Sequence, residues 1–360
     1  MKSYKNLWND FLSEENIREA IRKSSLGKRK RKTVKVIWDD IDGNIEPLRQ
    51  YAENFKNNKH IPKRIYDGIV RKIRYIIVPS YKEQVVHHMV VRTMMPMLTK
   101  GMYEHSYGSI PGRGGHKGKK TIKKWIAHGG KDIKYCLKMD IKKYFESIPH
   151  DILKAKLAKK IKDERFLKVL FEIIDVTPHG LPLGFYTSQW LANWYLQDLD
   201  HYIKEQLEAT YYIRYMDDMV IFGSNKRKLH EMRKAISEYL KNLGLELKGN
   251  WQVFRFSYGD KFRHLDFMGF RFYRNRVTLR RGIMLRASRK ARRLAKKDKA
   301  TVYDCMQMLS YLGWIKATNV YGMYSKWIKP FVDFGYCKKR ISRYQRRINR
   351  CGINQATTAA

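Results

Sequence analysis

The chain has 360 residues, 43% hydrophobic and 13% aromatic, enough to bury a substantial core and too many for one ordinary domain. Its 75 Lys and Arg against 34 Asp and Glu give a formal charge of +41, far beyond what solubility requires, so a polyanionic partner is expected, nucleic acid first. A membrane protein and a disulfide scaffold are set aside: no run reaches the roughly 18 apolar residues of a spanning helix, the opening residues lack a signal-type apolar segment, and Cys136, Cys305, Cys337 and Cys351 show no paired spacing. A cytoplasmic protein with reduced thiols is the expectation.

Residues 1–60 read as an N-terminal extension containing "GKRKRKTVK" (Gly27 to Lys35), too basic to pack unless it meets phosphates or forms a solvated face. "RKIRYIIVPS" predicts a strand ending at Pro79, and Ser80 with Glu83 forms a capping-box pattern that opens the next helix. "SYGSIPGRGGHKGKK" (Ser106 to Lys120) is a glycine-rich basic loop whose backbone could approach phosphates, with Arg113 and Lys117 as its nucleic-acid contacts. "YCLKMDIKKYF" predicts a strand ending at Asp140, and Pro149 stands at a first helical position. "GLPLGFYTSQWLANWYLQDLDHYIKEQL" predicts a turn and then one helix capped by Thr187 or Ser188, with Ala192, Leu196, Leu199, Ile203 and Leu207 as its buried stripe.

In "YYIRYMDDMVIFG" (Tyr211 to Gly223) two acids interrupt an apolar run that reads as two strands meeting near Met216 and Asp217. Ionised carboxylates in a strand core are costly without a cation, a proton or several donors opposite them; a solvent-facing hairpin turn is the plainer alternative. Leu229, Met232, Ile236, Leu240 and Leu243 then recur at helical spacing before Gly244, and "HLDFMGFRFYRNRVTLR" predicts a hairpin turning at Arg274 and Asn275. From Arg281 to Arg350 there are 19 Lys or Arg against 3 Asp over helical patterns, a separate basic module in which Arg289, Arg292 and Arg293 are candidate nucleic-acid contacts.

Strands alternating with helices, some joined as hairpins, describe an α+β fold in which a sheet carries acids at one edge. If the strands ending at Asp140 and turning at Asp217 and Asp218 are neighbours, the three carboxylates converge. Such hard oxygen ligands suit two Mg²⁺ ions, with Mn²⁺ as a substitute, placed to stabilise attacking and leaving oxygens in phosphoryl transfer.

Taken in order, "LKMDIKKYF", "GLPLGFYTSQWLAN", "YMDD" and "DFMGFRF" resemble the polymerase motifs of reverse transcriptases, and the resemblance covers roughly residues 20–350. It implies a right-hand polymerase with fingers at 61–134 (including part of the palm), a palm with an antiparallel sheet at 135–280, and a basic helical thumb and tail at 281–360. It implies that Asp140, Asp217 and the carbonyl of Ile141 hold metal, with Asp218 beside them. Phe145 matches the aromatic gate against a ribose 2′-hydroxyl, hence dNTP substrates. Lys72 and Arg74 match the cations that grip a triphosphate. Leu183, Gly184 and Gln189 fall at the nucleotide, Lys248 is a candidate proton donor to pyrophosphate, and Met268, Gly269 and Phe270 resemble the primer grip.

Leu183 stands where retroviral and group II intron enzymes usually carry Gln, and "PLGFYTSQ" with "GNWQV" (Gly249 to Val253) is similar to the reverse transcriptases of diversity-generating retroelements. That resemblance implies error-prone cDNA synthesis in a bacterial or phage-infected cell, on a structured template RNA, with an RNA/cDNA duplex as product and a small basic accessory protein as partner. After the thumb only "CGINQATTAA" remains, so no ribonuclease H or endonuclease domain is expected. Ile110 stands where an Arg often precedes Pro111. A compact prokaryotic anti-phage defence reverse transcriptase is the alternative biology, and a non-catalytic RNA-binding scaffold the remote one; Phe145 speaks against an RNA-only polymerase.

Overall fold

The computed structural model describes residues 3–67, 72–256 and 263–356, leaving aside the side chains at 67, 72 and 348–356. Four helices open the chain: α1 (Leu7–Leu12), α2 (Glu14–Ser24), α3 (Lys32–Asp39) and α4 (Ile41–Glu53). Ser13 caps α2 by accepting from the Asn16 N–H, and Phe11, Ile17, Ala20 and Ile21 are buried against α5 (Tyr81–Thr99). The basic run is a solvated face: its cations are exposed, or at Lys28 half-buried, and only Val34 of it is buried. Val34 and Ile37 share one face of α3 and are buried, while Arg29 lies 3.5 Å over the Trp38 ring and Lys28 donates to Gln84. Val34 and Ile37, three apart, give α3 its one buried side, and Lys32 and Lys35 stay exposed.

Strands β1 (Lys63–Asp67) and β2 (Lys72–Ile76) form an antiparallel hairpin that leads into α5. The capping box forms as the sequence predicts: Ser80 accepts from the Glu83 N–H, and the Glu83 carboxylate accepts from the Ser80 N–H. Helix α6 (Gly115–His128) precedes β3 (Tyr135–Asp140). Then come α7 (Tyr144–Ser147), α8 (His150–Lys160), for which Pro149 is the cap, and α9 (Glu164–Ile174).

Helix α10 begins at Tyr186, ahead of both expected caps, so Thr187 and Ser188 are buried within its first turn. It is also shorter than its periodicity suggests. It stops at Tyr195, resumes as α11 (Gln197–His201) and ends in a π turn over Tyr202–Gln206, while Ala192, Leu196, Leu199 and Ile203 stay buried and Leu207 is half-buried. Hydrophobic period reports which side faces the core but is blind to a one-residue slip in backbone winding.

The central sheet has the order β4-β5-β3-β6, from β4 (Tyr211–Tyr215), β5 (Asp218–Gly223) and β6 (Gln252–Arg255), with β4 and β3 antiparallel to β5. Helix α12 (Lys226–Asn242), capped by Asn225 and stopped at Gly244 with φ +67°, covers β3 and β5 with Leu229, Met232, Ile236 and Leu240.

The described residues divide into two compact units: 3–67, 72–118 and 129–254 in one, and 119–128, 255–256 and 263–356 in the other. The division falls ahead of the expected palm–thumb boundary at 281, because β7 (Leu265–Phe267), β8 (Phe270–Phe272) and β9 (Val277–Leu279) form their own three-stranded sheet. The β8–β9 turn lies at 273–276, as predicted, closed by the Tyr273 N–H donating to the Arg276 carbonyl. The same unit holds α13 (Arg281–Ala295), α14 (Val302–Lys316), α15 (Tyr321–Trp327) and α16 (Phe334–Ala356). No described helix is long and apolar enough to cross a membrane.

Candidate active site

Strand β3 ends at Asp140 and β5 begins at Asp218, and antiparallel register sets these two residues directly opposite each other. Opposed residues in such a pair have Cβ atoms about 4.5–5.5 Å apart, so two carboxylates meet at the same sheet edge. Asp217 belongs to the two-residue turn between β4 and β5, where Met216 has φ +57°. Tight hairpins favour primed turns with positive φ, because their twist matches that of the strands. Burial first, then the neighbouring charges of Asp140 and Asp218, push the Asp217 carboxyl up to about 7.

The turn is clamped from behind. Arg214 is fully buried; its Nε and Nη2 donate to Asp200 at 2.7 and 2.5 Å, and Nη1 donates to the Met216 carbonyl at 3.1 Å and to Asn193 at 3.2 Å. Tyr212 donates to the same Asp200 carboxylate. The glycine-rich loop lies against this strand: the Tyr107 N–H donates to the Arg214 carbonyl, and the Arg214 N–H to that of His105. A Cβ at Gly108 would come within 2.6 Å of the Met216 nitrogen. Arg113 turns inward and its Nη1 donates to the carbonyls of Tyr103, Glu104 and Ser106, so this cation braces the loop. Lys117 is exposed on α6.

The acids open on a cavity of about 620 Å³ that Arg74, Phe145, Leu183 and Lys248 also line. Residues 246–248 run alongside 140–142: the Lys142 N–H donates to the Glu246 carbonyl, Ile141 bridges to Leu247, and the Lys248 N–H donates to the Asp140 carbonyl. That pairing carries Lys248 Nζ to 3.4 Å from Asp140 Oδ2. Gly184 has φ +112°, and a Cβ there would lie 2.2 Å from the Ile77 carbonyl oxygen. Only glycine admits this crossing, which the Ile77 N–H secures by donating to the Leu183 carbonyl at 2.8 Å.

Among the described residues, no three carboxylate, imidazole or thiol side chains are grouped so that together they could hold a metal ion. What the site offers is a group of mutually repelling carboxylates, one of them half-buried at 26% exposure, beside an open cavity. That donor set fits Mg²⁺, which is commonly held by one or two carboxylates with water and phosphate oxygens filling the other positions.

Gln189 is not in this cavity. It accepts from Ser109 and lines a separate cavity of about 440 Å³ with Gly184, His88, Lys28 and Arg31. Lys72 pairs with Asp67 in the β1–β2 register, but its side chain lies outside the described residues. In the second unit, Met268 (φ 51°) and Gly269 (φ 83°) form the β7–β8 turn, and Phe270 is buried with its ring 4.9 Å from that of Trp314. Arg289, Arg292 and Arg293 are exposed on α13, with the Arg292 guanidinium 4.8 Å over the Trp327 ring. Sequence reasoning missed Asp200 and Arg214, although a lone arginine inside "YYIRYM" was a visible signal. It also left Lys28 and Arg31 unassigned to any site.

A family profile for reverse transcriptase (RNA-dependent DNA polymerase) matches residues 61–272. The chain is 24% identical over 200 residues to protein YkfC of Escherichia coli, spanning 52% of this chain and 50% of that one. It is 26% identical over 230 residues to the group II intron-encoded protein LtrA of Lactococcus lactis, 59% of this chain and 37% of that one. With the retron Ec73 reverse transcriptase of Escherichia coli the identity is 23% over 235 residues, 61% and 71% of the two chains. The chain thus spans half or less of the length of the first two relatives. Among solved structures, apo telomerase from Candida tropicalis superposes with a TM-score of 0.52 at 15% identity, over 77% of this chain and 57% of that one, a likeness of fold. The helices around an antiparallel sheet are those of a right-hand polymerase, and the chain belongs to the reverse transcriptase (RNA-dependent DNA polymerase) family.

Proposed function

We propose that the protein is an RNA-directed DNA polymerase that copies a template RNA into cDNA by metal-assisted nucleotidyl transfer. The observation that carries this reading is the meeting of Asp140, Asp217 and Asp218 at the edge of one sheet, on a cavity also lined by the cations Arg74, Lys142, Lys143 and Lys248 and by the rings of Tyr144 and Phe145. Asp140, Asp217 and the Ile141 carbonyl are the ligands for two Mg²⁺ or Mn²⁺ ions, with Asp218 beside them. When bound, such ions stabilise both the attacking and the leaving oxygen of an in-line displacement. Arg74, with Lys72, grips the triphosphate; Phe145 closes the space a ribose 2′-hydroxyl would need, selecting dNTPs. Lys248 is the proton donor to the departing pyrophosphate, and Gly184, which lies outside this cavity, holds Leu183 at its wall through the crossing with Ile77.

Lys117, Arg289, Arg292 and Arg293 are phosphate contacts, and Met268, Gly269 and Phe270 hold the primer. Leu183 supports a finer reading. An apolar wall cannot make the hydrogen bonds of a Gln, so geometric selection weakens and synthesis is error-prone, as in a diversity-generating retroelement acting with a structured RNA and a small basic accessory protein. A defence-associated reverse transcriptase is the runner-up, and the neighbouring genes separate the two.

Primer extension on an RNA template tests the chemistry: synthesis with dNTPs and Mg²⁺, none with EDTA, none after Asp217→Ala, and NTP incorporation after Phe145→Ala. Full turnover by Asp217→Ala overturns the reading. Sequencing cDNA made by Leu183→Gln tests fidelity, and an unchanged error frequency counts against that part.

A further inference from the structure

A second cavity, of about 550 Å³, shares no residue with the one at the carboxylates. It is the size of a small-molecule or nucleotide pocket. Its floor is apolar, from Met97, Ile152, Trp194 and Leu243, with Trp194 buried. Its rim is cationic: Lys100 and Lys159 are exposed and Lys160 is half-buried, and none of the three has an ion-pair partner among the described residues. A fourth cation, Lys156, sits 5.3 Å from the Trp194 ring centroid, and Asp198, the one acid of the lining, pairs with it at 2.9 Å.

The walls are held by backbone. The Tyr4 N–H donates to the Lys160 carbonyl and the Lys162 N–H to that of Tyr4, which ties the N-terminus to the end of α8. Gln197 and His201 of α11 bond to the carbonyls of Lys100 and Gly101. Three uncompensated lysines around a preformed concavity repel one another unless an anion lies among them. An apolar, aromatic floor beneath that rim adds a place for a flat, uncharged group. The chemistry that supplies both is a nucleotide unit, with the base on the floor and phosphates on the rim.

We propose that this cavity binds an unpaired nucleotide of an RNA strand, anchoring RNA to the palm at a point outside the catalytic cavity. The inference rests on the RNA-copying reading above and adds a second RNA contact to it. A peptide rich in Asp and Glu would satisfy the lysines but has no use for the apolar floor.

The test uses the full chain and a variant combining Lys100→Gln, Lys159→Gln and Lys160→Gln, with Lys226→Gln, Lys228→Gln and Lys234→Gln on α12 as a charge-matched control. RNA long enough to extend beyond the catalytic cavity is titrated at several salt concentrations, and a 4-thiouridine version is cross-linked and the attached peptides mapped. The expected result is about a tenfold loss of affinity beyond that of the control. The salt dependence should flatten by about 0.7 in log–log slope for each phosphate released. Cross-links in peptides carrying Tyr4 or Trp194 should disappear.

Extension of a short pre-annealed primer–template stays unchanged in the variant. Affinity equal to that of the control, or no cross-link near the cavity in the unsubstituted protein, overturns the proposal. So does saturation of the cavity by adenosine monophosphate or an acidic peptide with no RNA cross-link. Failure of the short substrate to extend in the unsubstituted protein strikes the polymerase reading instead and leaves the binding result standing.

Discussion

Asp217 is the member of the acidic group whose carboxyl is pushed up, to about 7, and the sign of that shift sets a pH dependence. Its folded value, about 7, lies above that of a free aspartate, so the proton stabilises the fold. That contribution is complete below the unfolded value and is lost as pH rises through about 7. The metal-free protein at pH 8 therefore bears the full repulsion among Asp140, Asp217 and Asp218. Asp217→Asn should raise the melting temperature of metal-free protein at pH 8 by a few degrees, with the gain fading below pH 5, while primer extension falls to background; scanning calorimetry across pH reads the first effect. Stabilisation by Mg²⁺ should grow from pH 6 to pH 8, because the ion competes with the proton for the same oxygens. At this scale the sequence was informative: two acids in an apolar strand run have no cheap explanation except a cation or a turn, and the structure shows the turn, with Met216 at φ +57°.

The turn that aims those acids depends on elements the motif does not contain. Arg214 reaches from β4 to Asp200 of α11, to Asn193 of α10 and to the Met216 carbonyl, so one buried guanidinium locks the turn against two helices. Replacing one partner leaves a buried uncompensated charge, worth about 3–5 kcal/mol. Arg214→Met should lower stability by that order in urea unfolding, Arg214→Met with Asp200→Leu should recover part of it, and primer extension should stay depressed in both because the turn has lost its latch. Gly184 makes the corresponding point for the stretch leading into α10. Gly184→Ala places a Cβ against the Ile77 carbonyl at a φ that L-residues avoid, so the crossing must open. The expected result is a KM for dNTP raised several-fold or more, read by steady-state extension, with less effect on binding of duplex. Nothing in "YYIRYM" said that Arg214 would be buried or that Asp200, fourteen positions earlier, would receive it.

For the whole molecule, the +41 charge is carried by both compact units and is managed locally. In the second unit Asp304 is 4% exposed, pairs with Lys290 at 2.5 Å and Lys297 at 2.9 Å, and completes a capping box with Thr301. Hydrogen bonds from Lys290 and then Lys297 hold its carboxyl well below the usual range. Its stabilisation is thus present above the unfolded value near 4 and is lost as pH falls below it. Asp304→Asn should destabilise this unit by about 2 kcal/mol at pH 7 and flatten its acid unfolding limb, measured by circular dichroism between pH 7 and pH 2.

Sequence by itself determined the family motifs, the strand ending at Asp140, the turn at Asp217, the capping box at Ser80 and the large positive charge, because these depend on residue type and short spacing. Only tertiary structure decided the register that opposes Asp140 to Asp218, the inward turn of Arg113, the Arg214–Asp200 latch and the early start of α10. The register and the Arg214–Asp200 latch rest on contacts between residues well apart in the chain, and hydrophobic period and local propensity contain no term for what a side chain meets across the fold.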